Sequence, residues 1–466
     1  MTDAALGASF RDPSGFVFEH DGVVYRQVNR IYTEDYDHLM DSGLYAALVE
    51  AGMLVAHEEV ASPLSRASDD GAHYKTLEPE QIGFVSYPFE WCFSQLKDAA
   101  LTTLRIAQTA LRYGMVLKDA SAYNVQFLRG QPVFIDTLSF ERYKEGAPWV
   151  AYRQFCQHFL APLALAAHRD VRLLQLFRVH IDGVPLDLAR SLLPTRAWLN
   201  PHLLLHIRVH ANYQRRYEGD TDSASKVRAM SKQAFRNLLT ALTSATKKLH
   251  WKAEGTEWAE YYHGDSYNQR ATDHKRRVVG EFIDAIAPSE LWDLGANTGE
   301  YSRIASERGI ETKAFDVDPA CVDRGYAAVR KSGETRLLPL LLDLTNPSPS
   351  IGWALGERNS IVERSTADAV MALALIHHIA ISNNVPLHRI AEFFARLAEH
   401  LIIEFVPKSD AKVAILLSTR EDIFPDYTES GFETAFGGVY TIESRIAVEG
   451  SERTLYRMRR RAISTA

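Results

Sequence analysis

Hydrophobic and polar positions alternate along residues 15–28. Gly15-Phe16-Val17-Phe18 leads into Asp21-Gly22, and Val23-Val24-Tyr25-Arg26-Gln27-Val28 leads out. A period of two about an Asp-Gly pair predicts a β-hairpin. Over residues 35–52, Leu39, Leu44, Leu48 and Ala51 recur at helical intervals and predict a helix. Ile82 to Tyr87 reads as a short β-like piece ended by Pro88. A longer helix is expected from near Ser94 to Tyr113, with Leu96, Ala100, Leu101, Leu104, Ala107 and Leu111 on its inner face. Residues 151–250 read as mainly helical, with Gly219–Ser225 as a candidate exposed loop.

From about residue 280 the pattern changes. Short apolar runs alternate with helical stretches, which argues for a parallel sheet with crossover helices. The expected strands are Leu291–Leu294, Thr312–Val317, Leu337–Leu344, Ala367–Leu375 and His400–Val406. The tail differs. Val439–Val448 and Arg453–Arg460 flank Glu449-Gly450-Ser451 and predict a closing antiparallel hairpin. The expected organisation is an α+β domain over 1–150, a mainly helical segment over 151–254 and an α/β domain over 255–466.

Composition narrows the class. The chain has 466 residues, more than one ordinary core. It is 46% hydrophobic and 24% charged, as soluble globular proteins are. A net charge of −7 gives no global pull toward nucleic acid. No apolar run approaches the ~20 residues that span a bilayer, and no signal peptide is expected at the amino terminus. Cys92, Cys156 and Cys321 are far apart and lack metal-ligand spacing, so a reducing cytoplasm and no metal site are expected.

The segment Leu291-Trp292-Asp293-Leu294-Gly295-Ala296-Asn297-Thr298-Gly299-Glu300 carries the most chemistry. A strand ending in an acid runs into a glycine-flanked turn, where open α/β sheets bind ligands. The charge of Asp293 disfavours a phosphate and favours a cationic or zwitterionic nucleoside. Asp316, 23 residues after Asp293, is placed to accept hydrogen bonds from both ribose hydroxyls. Asp343, at the end of the third run, is placed to accept one from an exocyclic adenine amine. The alternative is that each acid caps the following helix, which suits Asp318 before Pro319 better than it suits Asp293 or Asp316. A nicotinamide-binding domain would want glycine at position 297 and glycine or alanine at position 300, where this chain has Asn297 and Glu300.

These residues resemble the class I S-adenosylmethionine-dependent methyltransferases over roughly residues 255–466. The resemblance implies a Rossmann-like seven-stranded sheet whose last strand is antiparallel. It also implies S-adenosyl-L-methionine as cofactor, with Gly295, Ala296 and Gly299 against its methionine end, Asp316 on the ribose and Asp343 by the adenine. Asn297 replaces the family's usual central glycine. Leu344-Thr345-Asn346-Pro347-Ser348-Pro349, Ala374-Leu375-Ile376-His377-His378 and Ile403-Glu404-Phe405-Val406-Pro407-Lys408 are similar to a bacterial group related to rhizobial nodulation host-specificity methyltransferases.

With an activated sulfonium donor, the remaining work is to align a nucleophile and exclude water. His377 and His378, just past the fourth strand, are the candidate base or substrate-orienting groups. Glu404 is a second candidate. Asn383 and Asn384 follow in a loop, and Tyr261, Tyr262 and Tyr267 are candidate lid residues. The expected acceptor is a small molecule or carbohydrate rather than nucleic acid, because this half has no dense basic stripe.

A second constellation lies in the first half. Asp119 is followed five residues later by Asn124, and Val133-Phe134-Ile135 ends in Asp136. This is the order of a phosphotransferase catalytic loop, and the region resembles protein-kinase-like folds. It departs from them in having Arg26 where a phosphate-binding lysine is expected, no glycine-rich loop before the hairpin, and Thr137-Leu138 after Asp136. A phosphotransferase or bifunctional enzyme, and a non-catalytic cofactor-binding scaffold, are the alternative readings.

Overall fold

The computed structural model describes residues 6–60, 72–209, 230–254, 269–418 and 420–462. The chain divides into two compact units. The first is Met1–Lys252 with Pro349–Asn359, and the second is Ala253–Ser348 with Ser360–Ala466. The proposed lid residues Tyr261, Tyr262 and Tyr267 and the loop Gly219–Ser225 lie outside the described residues.

The first unit opens with the hairpin β1 (Gly15–His20) and β2 (Val23–Asn29). Asp21 and Gly22 both have positive φ, +50° and +79°, as a two-residue turn between twisted strands requires. The next segment is not one helix but two, α1 (Thr33–Asp41) and α2 (Leu44–Glu50). Gly43, at φ +81°, breaks the helical path, and the apolar spacing continues across the break. Strands β3 (His57–Val60) and β4 (His73–Pro79) complete an antiparallel sheet of order β1-β2-β4-β3.

Ile82–Tyr87 forms no strand, contrary to the sequence reading. The side chain of Gln126 takes the bonds a neighbouring strand would supply. Its Oε1 accepts Ser86 N–H at 2.8 Å and its Nε2 donates to the Ser86 carbonyl at 2.9 Å. The long helix α3 (Phe93–Arg112) follows and buries Leu96, Ala100, Leu104, Ala107 and Leu111, while Leu101 is half-buried. Three short pieces, β5 (Met115–Leu117), β6 (Val125–Leu128) and β7 (Gln131–Phe134), lead to β8 (Phe140–Arg142), which pairs with β5. Among the described residues, mainly helical segments follow over 152–209 and 232–248.

The second unit is a mixed α/β sheet. Helix Gln269–Ile286 precedes β9 (Glu290–Leu294), followed by β10 (Glu311–Asp316), β11 (Leu337–Leu341), β12 (Ala369–Ala372), β13 (His400–Phe405), β14 (Tyr440–Ala447) and β15 (Thr454–Arg460). The order is β11-β10-β9-β12-β13-β15-β14. Pairings from β11 through β13 are parallel, and β15 runs against both its neighbours. Leu291, Met371, Ile402 and Leu455 from four strands pack on Val279, Phe282 and Ile283 of the preceding helix. The sheet order reverses between β10-β9 and β12, so a crevice opens at the carboxyl ends of these strands, where such sheets bind ligands.

Candidate active site

The turn after β9 is held by its own backbone. Gly295 and Ala296 N–H both bond the Phe315 carbonyl, at 2.8 and 2.9 Å, and Gly299 N–H returns to the Ala296 carbonyl. Gly295 has φ +78°, and a Cβ there would stand 3.1 Å from Leu375 Cδ1. Asn297 also lies in the left-handed region, at φ +52°. Asparagine tolerates that region better than other side chains, and its Oδ1 accepts Thr298 N–H at 2.8 Å. The helix beyond the turn, Ser302–Ser306, is short.

A cavity of about 650 Å³ lies over this turn. Asp293, Gly295, Ala296, Asn297, Asp316, Asp343 and His378 all line it. Gly299 is not on its wall; at φ +84° it shapes the turn instead.

Asp293 is 2% exposed, and its Oδ2 accepts the Ser302 hydroxyl at 2.6 Å. Burial, with Asp316 nearby, pushes its carboxyl up to about 7. Asp316 accepts Asn297 N–H on one oxygen at 2.7 Å and Asp318 N–H on the other at 2.8 Å. Burial pushes it up to about 6, against those two bonds. Asp318 caps helix Pro319–Ser332 through Ala320 N–H at 2.8 Å. Asp343 lies two residues past β11 and accepts both the amide and the hydroxyl of Thr345, at 2.8 and 2.6 Å. That local turn holds its carboxylate on the cavity wall.

The two histidines are separated by burial. His378 lines the cavity, and burial followed by Arg453 lowers its imidazole to about 4. His377 is fully buried behind it, with ring centroids 4.0 Å apart and no hydrogen bond at either nitrogen. Burial holds it well below the usual range, so both rings are neutral near pH 7. Asn383 lines the cavity and donates to the His378 carbonyl at 2.9 Å, and Asn384 turns the chain at φ +55°.

Glu404 is fully buried and does not line the cavity. It accepts Lys275 Nζ at 2.7 Å and Ala374 N–H at 2.7 Å, with Arg453 Nη1 3.8 Å away. A carboxylate committed to two cations is a poor base, so Glu404 instead positions Lys275 and Arg453, which do line the cavity. The sequence reading missed both cations. Lys275 had a signal: it falls on the apolar face of its helix, among Ala271, Val278, Val279 and Phe282. Arg453, beside the hairpin turn, had none.

In the first unit, Asp119, Asn124 and Asp136 converge on a separate cavity of about 420 Å³. Asp136 is ion-paired to Arg26 at 2.5 Å and accepts the Ser139 hydroxyl. Asp119 accepts Gln154 Nε2 at 2.8 Å and Ser121 N–H at 2.9 Å. Among the described residues, no group of three or more His, Cys, Asp or Glu could hold a metal ion. Among them also, no helix is long and apolar enough to cross a membrane.

No family model matches the chain. Among solved structures, it is similar to the magnesium protoporphyrin IX methyltransferase (ChlM) of Synechocystis PCC 6803, crystallised with bound SAH. That match has 15% identity and a TM-score of 0.31 over 44% of this chain and 93% of the other. It is also similar to the N-methyltransferase NodS of Bradyrhizobium japonicum WM9, at 12% identity and a TM-score of 0.30 over 42% and 99% of the two chains. The nodulation protein NoeA of Rhizobium meliloti (strain 1021) is 37% identical over 462 residues, 98% of this chain and 96% of that protein. With that identity maintained along nearly its whole length, the chain belongs to the family of the nodulation protein NoeA.

Proposed function

We propose that the second unit binds S-adenosyl-L-methionine and transfers its methyl group to a hydroxyl- or amine-bearing small molecule, with a carbohydrate as the favoured class. The observation that carries this is the meeting of Asp293, Asp316 and Asp343 on one cavity over a glycine turn. Two of these carboxylates are buried and held near neutrality, an arrangement that gains most from a cationic ligand. The cofactor would supply a methyl group on an electrophilic sulfonium.

The chain's residues have three tasks. Asp316 holds the turn with one lone pair of each oxygen and presents the remaining pairs to ribose hydroxyls. Asp293 places negative charge beside the amino-acid end of the cofactor. His378, neutral, accepts a hydrogen bond from the acceptor's O–H or N–H and fixes its approach. An imidazole lowered to about 4 is too weak a base to take a full proton early, so its role is orientation. Ser382 and Asn383, which follow His378 and also line the cavity, give neutral polar contacts suited to hydroxyl groups.

Calorimetry with S-adenosylhomocysteine tests the cofactor assignment, with Asp316→Ala as the control. Absence of heat, or undiminished binding by the variant, would sink the proposal. Radiolabelled methyl transfer to a panel of glycans and hydroxylated small molecules then tests the acceptor.

A further inference from the structure

Charge around the cavity of the second unit changes sign along the sheet. Strands β11, β10 and β9 are neighbours, and the acids at or just past their carboxyl ends, Asp343, Asp316 and Asp293, all line the cavity. Strands β12, β13 and β15 continue the sheet on the other side of β9, and cations gather there. Arg453, immediately before β15, lines the cavity. β13 leads to helix Ala411–Ser418, which lies against the turn His378–Ser382. Leu416 of that helix is on the cavity lining, and Lys412 stands one turn earlier on the same helix face. Burial first, then the charges of Arg453 and Lys412, lower the His378 imidazole, so both cations act on the residue assigned to the acceptor.

Among the described residues, Arg420 bonds carbonyls rather than acids. Its Nη1 donates to the Ile381 carbonyl at 2.5 Å and to the Ser382 carbonyl at 3.4 Å, and Ser382 lines the cavity. Glu404 is committed to Lys275 and Arg453, Asp410 to Arg453 and Asp422 to Lys408. Glu421, the residue after Arg420, is exposed. A carbonyl fixes a guanidinium without cancelling its charge. The Nε–Nη2 edge of Arg420 keeps the planar fork that matches an oxyanion.

We propose that the methyl acceptor carries an anionic group, a carboxylate or a sulfate or phosphate ester, and that Arg420 binds it while His378 orients the hydroxyl or amine to be methylated. This deepens the methyl-transfer reading of the cavity and rests on it. The acids at the ends of β9, β10 and β11 take the cationic cofactor, and the opposite half takes an anionic acceptor. Each ligand is thereby disfavoured at the other's end. A neutral acceptor would gain nothing from the charge of Arg420.

The test is calorimetry on the full chain. S-adenosylhomocysteine is titrated first, and absence of heat at this step sinks the methyl-transfer reading itself. Glucuronate, glucose 6-sulfate, glucose 6-phosphate and glucose are then titrated into the saturated protein. At least one acidic sugar is expected to bind about tenfold more tightly than glucose, and the tightest of the three identifies the anion. The preference should shrink as salt is raised and should be largely lost in Arg420→Gln. A merely structural Arg420, capping the carbonyls of its turn, would leave the ratio of acidic to neutral sugar unmoved. Circular dichroism and S-adenosylhomocysteine affinity check the fold of the variant. If Arg420→Gln does not fold, Lys412→Gln reads the same ratio, which should fall. With S-adenosylhomocysteine bound, equal affinity for acidic and neutral sugars, no heat from any sugar, or a preference unchanged in the folded variant overturns this proposal alone.

Discussion

Replacing Glu404 with glutamine should unsettle the second unit more than any other isosteric change beneath its cavity. Glu404 is fully buried, with Lys275 Nζ at 2.7 Å and Arg453 Nη1 at 3.8 Å. Glu404→Gln keeps the shape and an acceptor for Ala374 N–H but removes the negative charge those cations share. Breaking a buried ion pair from one side costs about 3–5 kcal/mol. Two features place this case at the lower end. Arg453 retains Asp410 at 2.8 Å, and burial already lowers the Lys275 ammonium, which makes loss of its proton easier. A loss of about 3 kcal/mol in a unit of roughly 200 residues lowers Tm by about 6–12 °C. The assay is thermal and urea unfolding of the full chain, following the transition that S-adenosylhomocysteine raises. The variant's deficit should also shrink with alkali. A lysine whose folded pKa lies below its ordinary 10.5 binds fewer protons folded than unfolded, so stability rises with pH between those two values. Lys275→Met in the same background should give losses short of additive by about 1 kcal/mol or more. A cost under about 1 kcal/mol for Glu404→Gln, or strict additivity with Lys275→Met, would refute the network as described.

Asp316→Ala should weaken S-adenosylmethionine binding about a hundredfold, since it removes two hydrogen bonds to a charged group, and calorimetry reads this directly. Asp293 and Asp316, at about 7 and 6, lie above their ordinary 3.8, so the unliganded protein binds extra protons when folded. Its stability should therefore fall as pH rises from about 4 to 7, while cofactor affinity rises over pH 5.5–7.5 with measurable proton release; a flat affinity profile contradicts this. Asn297→Gly should be near neutral and Asn297→Ala should cost about 1 kcal/mol in urea unfolding, because φ is +52° there. His378→Ala should lower kcat by about ten- to a hundredfold with little change in cofactor affinity, whereas a loss confined to cofactor binding would remove it from acceptor positioning.

Local signals served the fold where one segment decided its own structure. The β1–β2 hairpin was legible because Asp21-Gly22 supplies the two positive φ values the turn needs. Helix α3 was legible because its apolar stripe runs unbroken for twenty residues. The helix over 35–52 was read as continuous because Leu39, Leu44 and Leu48 keep helical spacing while Gly43 redirects the chain. Ile82–Tyr87 had strand-like residues but no strand partner, since Gln126, 40 residues away in sequence, captures the Ser86 backbone. No periodicity argument can see a side chain that substitutes for a strand.

The site divides in the same way. Gly295, Asn297, Asp316 and Asp343 sit at strand ends, and in an open parallel sheet every strand end faces one edge, so their order along the chain already implied convergence. Lys275, Glu404 and Arg453 converge through packing instead. Helix Gln269–Ile286 lies against β13 and β15, and Lys275 and Glu404, 129 positions apart in sequence, carry no local mark of their pairing. What the sequence did hold was half of the signal, a lysine on an apolar helix face. A buried cation must find a carboxylate, and Glu404 stood inside the apolar run Ile402-Ile403-Glu404-Phe405, where a charge is equally out of place. Each was explicable alone as a surface residue or a base. Together they demand each other, because two uncompensated charges in one core cost more than the pairing does. The same logic separates Glu404 from Asp293: Glu404 has its cations within the chain, whereas Asp293 and Asp316, raised toward neutrality, leave room for one brought by a ligand.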